Sequence, residues 1–477
     1  MPESLKKEAV KGVAWSAIER FSVQGIQFLI MIVMARLLSP KDYGLVGMLT
    51  IFIAVSQSLI DSGFSQALIR KQNRTEVDNS TAFYFNIVVG IFLYGILFSI
   101  APFVADFYDT PELTSLMRVV CLSVVLNSLT VVQVAQLTIR VDFKTLSKAS
   151  LVSAVLSGVV GICMAYNGYG VWSIAAQQLT NLGGNAILLW LLTGWRPIRA
   201  YSWKSFKSLF SFGSKLMCSG LLDTIYTNVY LLVIGKVYSA SDLGYYTRAH
   251  QFASFPSANL TSVMQRVTYP ILCKVQDDDK RLASTYRRFL RVSAFVIFPL
   301  LLGLSAVAEP LVLLLLKEKW MFSATLLQII CFSMMWFPIH SINLNLLKVK
   351  GRSDLFLRLE VIKKVLGVAV LCITVPLGLI AMCIGSIFSS VIGLIINTYY
   401  TGKFVHLGFF RQMKDVLPTL FLSVAMWLVV LAVQLAVDSP VFKLLIGISV
   451  GIIFYVGVAF LFRFSEFKEI VDIIKRR

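Results

Sequence analysis

Apolar runs of about 20 residues, the length that crosses a bilayer as a helix, follow one another along nearly the whole chain. Short polar segments rich in lysine and arginine separate them. Fourteen such runs are predicted, near 12–38, 43–64, 81–105, 113–139, 149–166, 170–193, 209–235, 243–263, 289–316, 322–347, 359–375, 379–401, 415–437 and 441–462. In hydrocarbon a backbone must satisfy its own hydrogen bonds, so runs of this length read as helices. The expected fold class is an all-α multi-pass membrane protein with about 14 transmembrane helices. Composition agrees: 57% of the residues are hydrophobic and 14% charged, which leaves too few polar groups to coat a water-soluble exterior.

The cations give the expected orientation. With the N-terminus in the cytoplasm, 34 of the 44 Lys and Arg residues fall in cytoplasmic segments or at their helix ends. Six, Arg36, Lys41, Lys236, Lys317, Lys319 and Lys443, fall on the opposite side, and four lie inside the spans. The positive-inside rule therefore places both termini in the cytoplasm. It also absorbs the net charge of +19, so no nucleic-acid partner is expected. One outer loop carries Asp106, Asp109 and Glu112 with no cation of its own. The polar start, Met1 to Lys11, leads into a span too long for a signal-peptide core. No loop is long enough for a soluble catalytic domain. Gln276 to Lys280 (Q-D-D-D-K) reads as a solvated turn. The end of the chain, 463–477, alternates charges with Phe467, Ile470 and Ile473, as a short amphipathic helix on the membrane face does.

Chemistry-bearing constellations are absent from the sequence. The seven cysteines lack C-x-x-C spacing and read as small apolar side chains. His250, His340 and His406 have no metal-ligand spacing, and His340 beside Pro338 reads as a satisfied core histidine. No G-x-x-x-x-G-K-[ST] loop occurs, so no P-loop ATP hydrolysis is expected. Pro299 and Pro376 are expected to kink their helices. The chain is read as no enzyme, with no cofactor or metal beyond a coupling H+ or Na+.

An internal repeat organises the spans. Ala35 to Gly44 reads A-R-L-L-S-P-K-D-Y-G, and Gly235 to Gly244 reads G-K-V-Y-S-A-S-D-L-G. Arg36 answers Lys236, Ser39 answers Ser239, Asp42 answers Asp242 and Gly44 answers Gly244. A second echo pairs Cys121 and Ser123 with Cys331 and Ser333. Six helices separate the copies, so both keep the same sidedness and the halves are related by an axis along the membrane normal. Two pseudo-symmetric six-helix lobes are expected around a central cleft. The predicted division is 1–208 for the first lobe, 209–401 for the second, 402–462 for two additional helices and 463–477 for the tail.

Polar stripes fall on helices 1, 2, 7 and 8, which the repeat makes mates. Helix 1 carries Glu19, Arg20, Gln24 and Gln27; helix 2 carries Thr50, Gln57 and Asp61. Helix 7 carries Lys215, Ser219, Asp223, Tyr226 and Tyr230 at helical spacing, and helix 8 carries Arg248, His250 and Gln251 around Pro256. Charges inside a membrane are costly, so each is either paired or faces water. For the set, a water-filled cleft is the reading; for any one residue, structural pairing and a pathway role stay open. Arg118 is expected to snorkel to the outer surface.

Several motifs resemble one family. E-R-x-x-x-Q-G from Glu19, A-R-L-L-S-P-K-D-Y-G from Ala35, D-S-G-F-S-Q-A-L-I from Asp61, L-G-Y-Y-T-R-A from Leu243 and G-R-S-D from Gly351 resemble the Wzx-type polysaccharide flippases, most closely the colanic-acid-exporter subgroup. That superfamily also holds multidrug antiporters and peptidoglycan-precursor flippases. The resemblance implies two six-helix lobes around a cleft and a substrate that is an oligosaccharide on undecaprenyl diphosphate. Such a headgroup cannot cross hydrocarbon unaided. On this reading Arg20, Lys215 and Arg248 receive the diphosphate. Gln24, Gln27, Tyr226, Tyr230, Tyr245 and Phe252 are the expected sugar contacts, and Glu19, Asp61 and Asp223 the candidate ion-coupling acids. Alternating access carries the repeat unit outward for surface polysaccharide assembly, with the polysaccharide polymerase machinery as a further possible partner. The competing reading is a cation-coupled multidrug exporter of the same superfamily.

Overall fold

The computed structural model describes residues 22–61 and 63–475, the side chains at 212, 215, 216, 219, 353 and 473–475 apart. No strand occurs among the described residues. The chain divides into two compact units, 1–244 and 245–477.

Unit 1 contains α1 (Ser22–Leu37), α2 (Pro40–Asp61), α3 (Phe64–Arg70), α4 (Glu76–Phe107), α5 (Glu112–Val120), α6 (Leu122–Ser128), α7 (Val131–Ile139), α8 (Phe143–Tyr166), α9 (Val171–Thr193) and α10 (Trp203–Val237). The division falls in the first turns of α11 (Ala240–Lys274). Unit 2 continues with α12 (Asp279–Ala306), α13 (Ala308–Leu316), α14 (Met321–Met334), α15 (Phe337–Val349), α16 (Ser353–Thr374), α17 (Leu379–Val405), α18 (Phe409–Leu435), α19 (Pro440–Leu461) and α20 (Ser465–Lys475).

Nine helical stretches among the described residues are long and apolar enough to cross a membrane. The other predicted spans also fall in helices, but α9, α10, α11 and α16 carry amides, hydroxyls or charges that lower their hydropathy, and α1 is short in its described part. Four predicted spans are not continuous, the 289–316 run breaking at Val307 between α12 and α13. The 43–64 run breaks at Gly63; the 113–139 run is the chain α5–α6–α7; the 322–347 run breaks between α14 and α15. Pro376 does not kink a helix. It sits in a 3-10 turn, Val375–Leu377, that ends α16.

The repeat proves to be a contact. In the first copy the Ser39 N–H and hydroxyl both donate to Asp42 Oδ2, at 2.8 and 2.6 Å, and the Asp42 N–H donates back to Ser39 Oγ at 3.3 Å. The second copy repeats this with Ser239 and Asp242 at 3.1, 2.7 and 3.0 Å. Each is a reciprocal N-terminal cap, satisfying donors that a helix start leaves open. The two capped starts then cross each other. A Cβ on Gly44 would lie 1.6 Å from the Ala240 carbonyl oxygen, and one on Gly244 would lie 2.0 Å from that of Pro40. Only glycine fits either position. Cations from both motifs meet the acidic 106–112 segment at this same end: Lys236 pairs with Asp109 at 2.9 Å and Lys41 with Glu112 at 3.4 Å. The positive-inside assignment had put all four on one side.

At the other end of unit 1, Thr75 and Asp78 cap α4, and Lys71 reaches the buried Asp78 carboxylate at 2.7 Å. Trp195 donates to Glu76 at 2.7 Å, while Phe64, Phe83, Trp195 and Leu209 share one apolar cluster. Small residues let α8 and α9 approach: a Cβ on Gly161 would meet Gln177 at 2.9 Å, and Asn181 donates to Ser157 at 3.2 Å. Arg118 is half-buried. Its guanidinium lies 4.4 Å over the Phe98 ring.

In unit 2, α12 and α18 pack along each other, tied by the Arg287–Asp415 pair. The two additional helices, α18 and α19, are bound into this unit: Gln434 donates to the Ala306 carbonyl and the Tyr455 hydroxyl to that of Phe295. The tail helix α20 sets Glu469 against Arg288 at 2.6 Å and Glu466 against Arg291 at 3.3 Å. His340 is satisfied by Ser390 and Asn397, each at 3.1 Å. In the G-R-S-D motif Gly351 takes φ +69°, and Arg352 is bidentate on Asp354 at 2.9 and 2.7 Å.

Candidate functional site

Gly63 sets the geometry of the site. Its left-handed φ of 70° ends the run of α2 and starts α3. The restart is fixed by Phe64, fully buried and stacked on Phe85 with centroids 4.8 Å apart. The backbone of α10 passes so close that a Cβ on Gly63 would lie 2.7 Å from Gly213 Cα. Alongside this glycine-to-glycine contact the helices line an open cavity of about 640 Å³. That volume lies in the ~300–1,000 Å³ range of small-molecule sites.

From α2 the cavity receives Gln57, Ser58 and Asp61, four residues apart at their extremes and on one face. From α3 it receives Ser65 and Gln66, which face away from the buried Phe64–Ala67–Leu68 side. From α10 it receives Gly220, Thr224, Thr227 and Asn228, stepping by four, three and one. Asp61 carries the one formal charge among the described lining residues.

Hydrogen bonding within α10 biases its face. Thr227 donates its hydroxyl to the Asp223 carbonyl at 2.9 Å, and the Asn228 amide donates to the Thr224 carbonyl at 2.8 Å. The Thr227 donor and one of the two Asn228 N–H groups are thereby occupied, and the wall keeps the Thr224 hydroxyl beside oxygen lone pairs. Asp61, when ionised, is acceptor-only.

Of the residues proposed from sequence, Asp61 lines this cavity, and so does Gln57 of the helix 2 stripe. Asp223 is exposed on α10, one position before Thr224. Tyr226 and Tyr230 are half-buried on the same helix, Gln24 is half-buried on α1 and Gln27 is exposed there. In unit 2 Arg248 is buried and donates to Gln251 at 2.7 Å. There too Tyr245 stands edge-on to Trp320 and Phe322, and Phe252 is buried. Glu19 and Arg20 lie outside the described residues, as does the Lys215 side chain.

Sequence reasoning missed Ser65, Gln66, Thr224, Thr227 and Asn228. The helix 7 stripe read from charges and tyrosines runs through 223, 226 and 230, whereas the cavity face runs through 220, 224 and 227. The two differ by about one residue, or roughly 100° of helix rotation. The D-S-G-F-S-Q motif did hold the signal for Ser65 and Gln66.

Residues 33–325 match the protein family described as "Polysaccharide biosynthesis protein". The chain is 24% identical over 460 residues to the teichuronic acid biosynthesis protein TuaB of Bacillus subtilis, covering 95% of each chain. It is 26% identical over 433 residues to the lipopolysaccharide biosynthesis protein WzxC of Escherichia coli, covering 89% of this chain and 85% of that one. Among solved structures it is similar in fold to the lipid II flippase MurJ in an inward closed conformation. That match has a TM-score of 0.77 at 14% identity and covers 94% of this chain and 99% of that one.

Proposed function

This chain belongs to the polysaccharide biosynthesis protein family, and from that premise we propose that it flips lipid-linked oligosaccharide from the cytoplasmic to the periplasmic leaflet of a bacterial inner membrane. The observation that carries the proposal is the polar cavity of Asp61 set among helices otherwise fit for lipid. Hydroxyl groups and charges stripped of water at that depth cost several kcal/mol each, about 2–7 kcal/mol for an uncompensated hydroxyl or amide. A wall of hydroxyls, amides and one carboxylate replaces that water. The similarity to proteins named for teichuronic acid, lipopolysaccharide and lipid II supports a polysaccharide precursor on a polyprenyl diphosphate.

In this proposal Arg20, Lys215 and Arg248 receive the diphosphate by charge-assisted hydrogen bonds. Gln24, Gln27, Tyr226 and Tyr230 contact sugar, and the lipid tail stays in the bilayer. Glu19 and Asp223 are the proposed acids for coupling to H+ or Na+. Both termini are cytoplasmic, and the halves exchange access by rocking.

The test is flipping of a fluorescent polyprenyl-diphosphate oligosaccharide in proteoliposomes holding the purified full chain. Alanine at Arg20, Lys215 and Arg248 together is expected to reduce flipping at least tenfold at unchanged protein level. Unchanged flipping refutes the diphosphate role. A lone carboxylate in the cavity also suits a cationic drug. Export of a quaternary ammonium dye without oligosaccharide flipping would establish that reading instead.

A further inference from the structure

We infer that the cavity between α2, α3 and α10 is a subsite for the uncharged sugar part of the substrate, with Asp61 as a hydroxyl-binding specificity residue and not an anion or diphosphate site. The inference rests on the flippase reading and narrows it.

The reasoning is a count of donors and acceptors. A diphosphate at neutral pH offers almost only acceptor oxygens, so it needs N–H and O–H donors or cations. A sugar hydroxyl offers one donor and two lone pairs. On the α10 wall the Thr227 donor and one of the two Asn228 N–H groups are spent on helix carbonyls, while the Thr224 hydroxyl both donates and accepts. Opposite them stands Asp61, which has no hydrogen bond or ion pair among the described residues. The Asp61 carboxylate would repel phosphate oxygens and accept a hydrogen bond from a sugar hydroxyl. Gln57 and Gln66, whose amides both donate and accept, let a hydroxyl's lone pairs be answered too. Asp61 would further reject sugar acids, whose carboxylate would meet it as a like charge in a site of low dielectric. Gly63 lets the α10 backbone close against the cavity's edge at Gly213.

The experiment uses saturation-transfer NMR titrations on the purified full chain in nanodiscs. The probes are maltotriose, trigalacturonate and inorganic pyrophosphate. Maltotriose is expected to bind at least tenfold more tightly than trigalacturonate, and pyrophosphate is expected not to compete with it. Asp61→Asn, with an unchanged melting temperature, is expected to weaken maltotriose about tenfold, the loss of one charge-assisted hydrogen bond. The same variant is expected to improve trigalacturonate, so that the preference disappears. Gln66→Ala should weaken maltotriose a few-fold without altering the preference. Competition by pyrophosphate, absence of maltotriose binding, or an unchanged preference in Asp61→Asn overturns the subsite. The proteoliposome assay separates the two levels. Wild-type flipping alongside any of those results removes only the sugar subsite, while absence of flipping removes the reading beneath it.

Discussion

Two sets of polar side chains sit within spanning helices, and they differ in whether their hydrogen bonds close. In unit 2, Asn343 and Gln412 exchange amide bonds at 3.1 Å in both directions. The Tyr286 hydroxyl donates to Asn343 at 2.7 Å, and Gln412 also donates to Thr401 and to the Leu407 carbonyl. All four side chains are fully buried, and together they fasten α12, α15, α17 and α18. In unit 1, Asp61, Gln57 and Gln66 line open space instead. The same residue types thus serve as a fastener in one place and a wall in the other. Polarity within a span therefore does not mark a pathway; unanswered polarity facing a cavity does.

The comparison is broken most forcefully in the closed set. Gln412→Leu removes four hydrogen bonds, to Asn343 in both directions, to Thr401 and to the Leu407 carbonyl, at about 0.5–1.5 kcal/mol each. A fall of about 3 kcal/mol or more is expected in thermal or denaturant unfolding of the detergent-solubilised protein, with flipping per folded molecule unchanged. Lys71→Met comes next. It removes one charged partner from the buried Asp78, whose carboxylate keeps the Thr75 N–H, so about 1.5–3 kcal/mol is expected by the same measurement. Lys236→Ala cuts an exposed pair with Asp109, 82% exposed, and should cost no more than about 1 kcal/mol. Asp61→Asn should leave the unfolding midpoint within about 0.5 kcal/mol while changing substrate preference, as a wall residue would. A stability loss like that of Gln412→Leu would erase the distinction between the two sets.

The smallest effect is one of pH. The Arg352 guanidinium, bidentate on Asp354, holds that carboxyl down at about 2 from its ordinary 3.8. A lowered folded value means this contribution is fully present above the ordinary value and is lost as pH falls toward 2. Melting temperature should therefore show no Asp354-dependent change from pH 8 to 5. An Arg352→Ala difference that itself varies over that range would contradict it.

Much of this was legible in the chain. The length and order of the apolar runs placed helices throughout the described residues, and the S-x-x-D-x-G echo marked as a repeat the two segments whose caps and contact the structure shows. The charge asymmetry put Lys41 and Lys236 on the side of Asp109 and Glu112, which they meet. What was not legible has physical reasons. Breaks at Gly63 and Met335–Trp336 are defects in the i→i−4 ladder, which leave hydropathy almost unchanged. The α10 face was misjudged because charged and aromatic residues are conspicuous, while Thr224, Thr227 and Asn228 reveal themselves only by what they bond. Gln412 closes its network from a helix with no counterpart in the repeat, so the repeat gave no hint of it.

The crossing at Gly44 and Gly244 makes each copy of the motif a constraint on the other. Each glycine is demanded by a carbonyl belonging to the other copy, so a side chain at either position would force the opposite helix start to move.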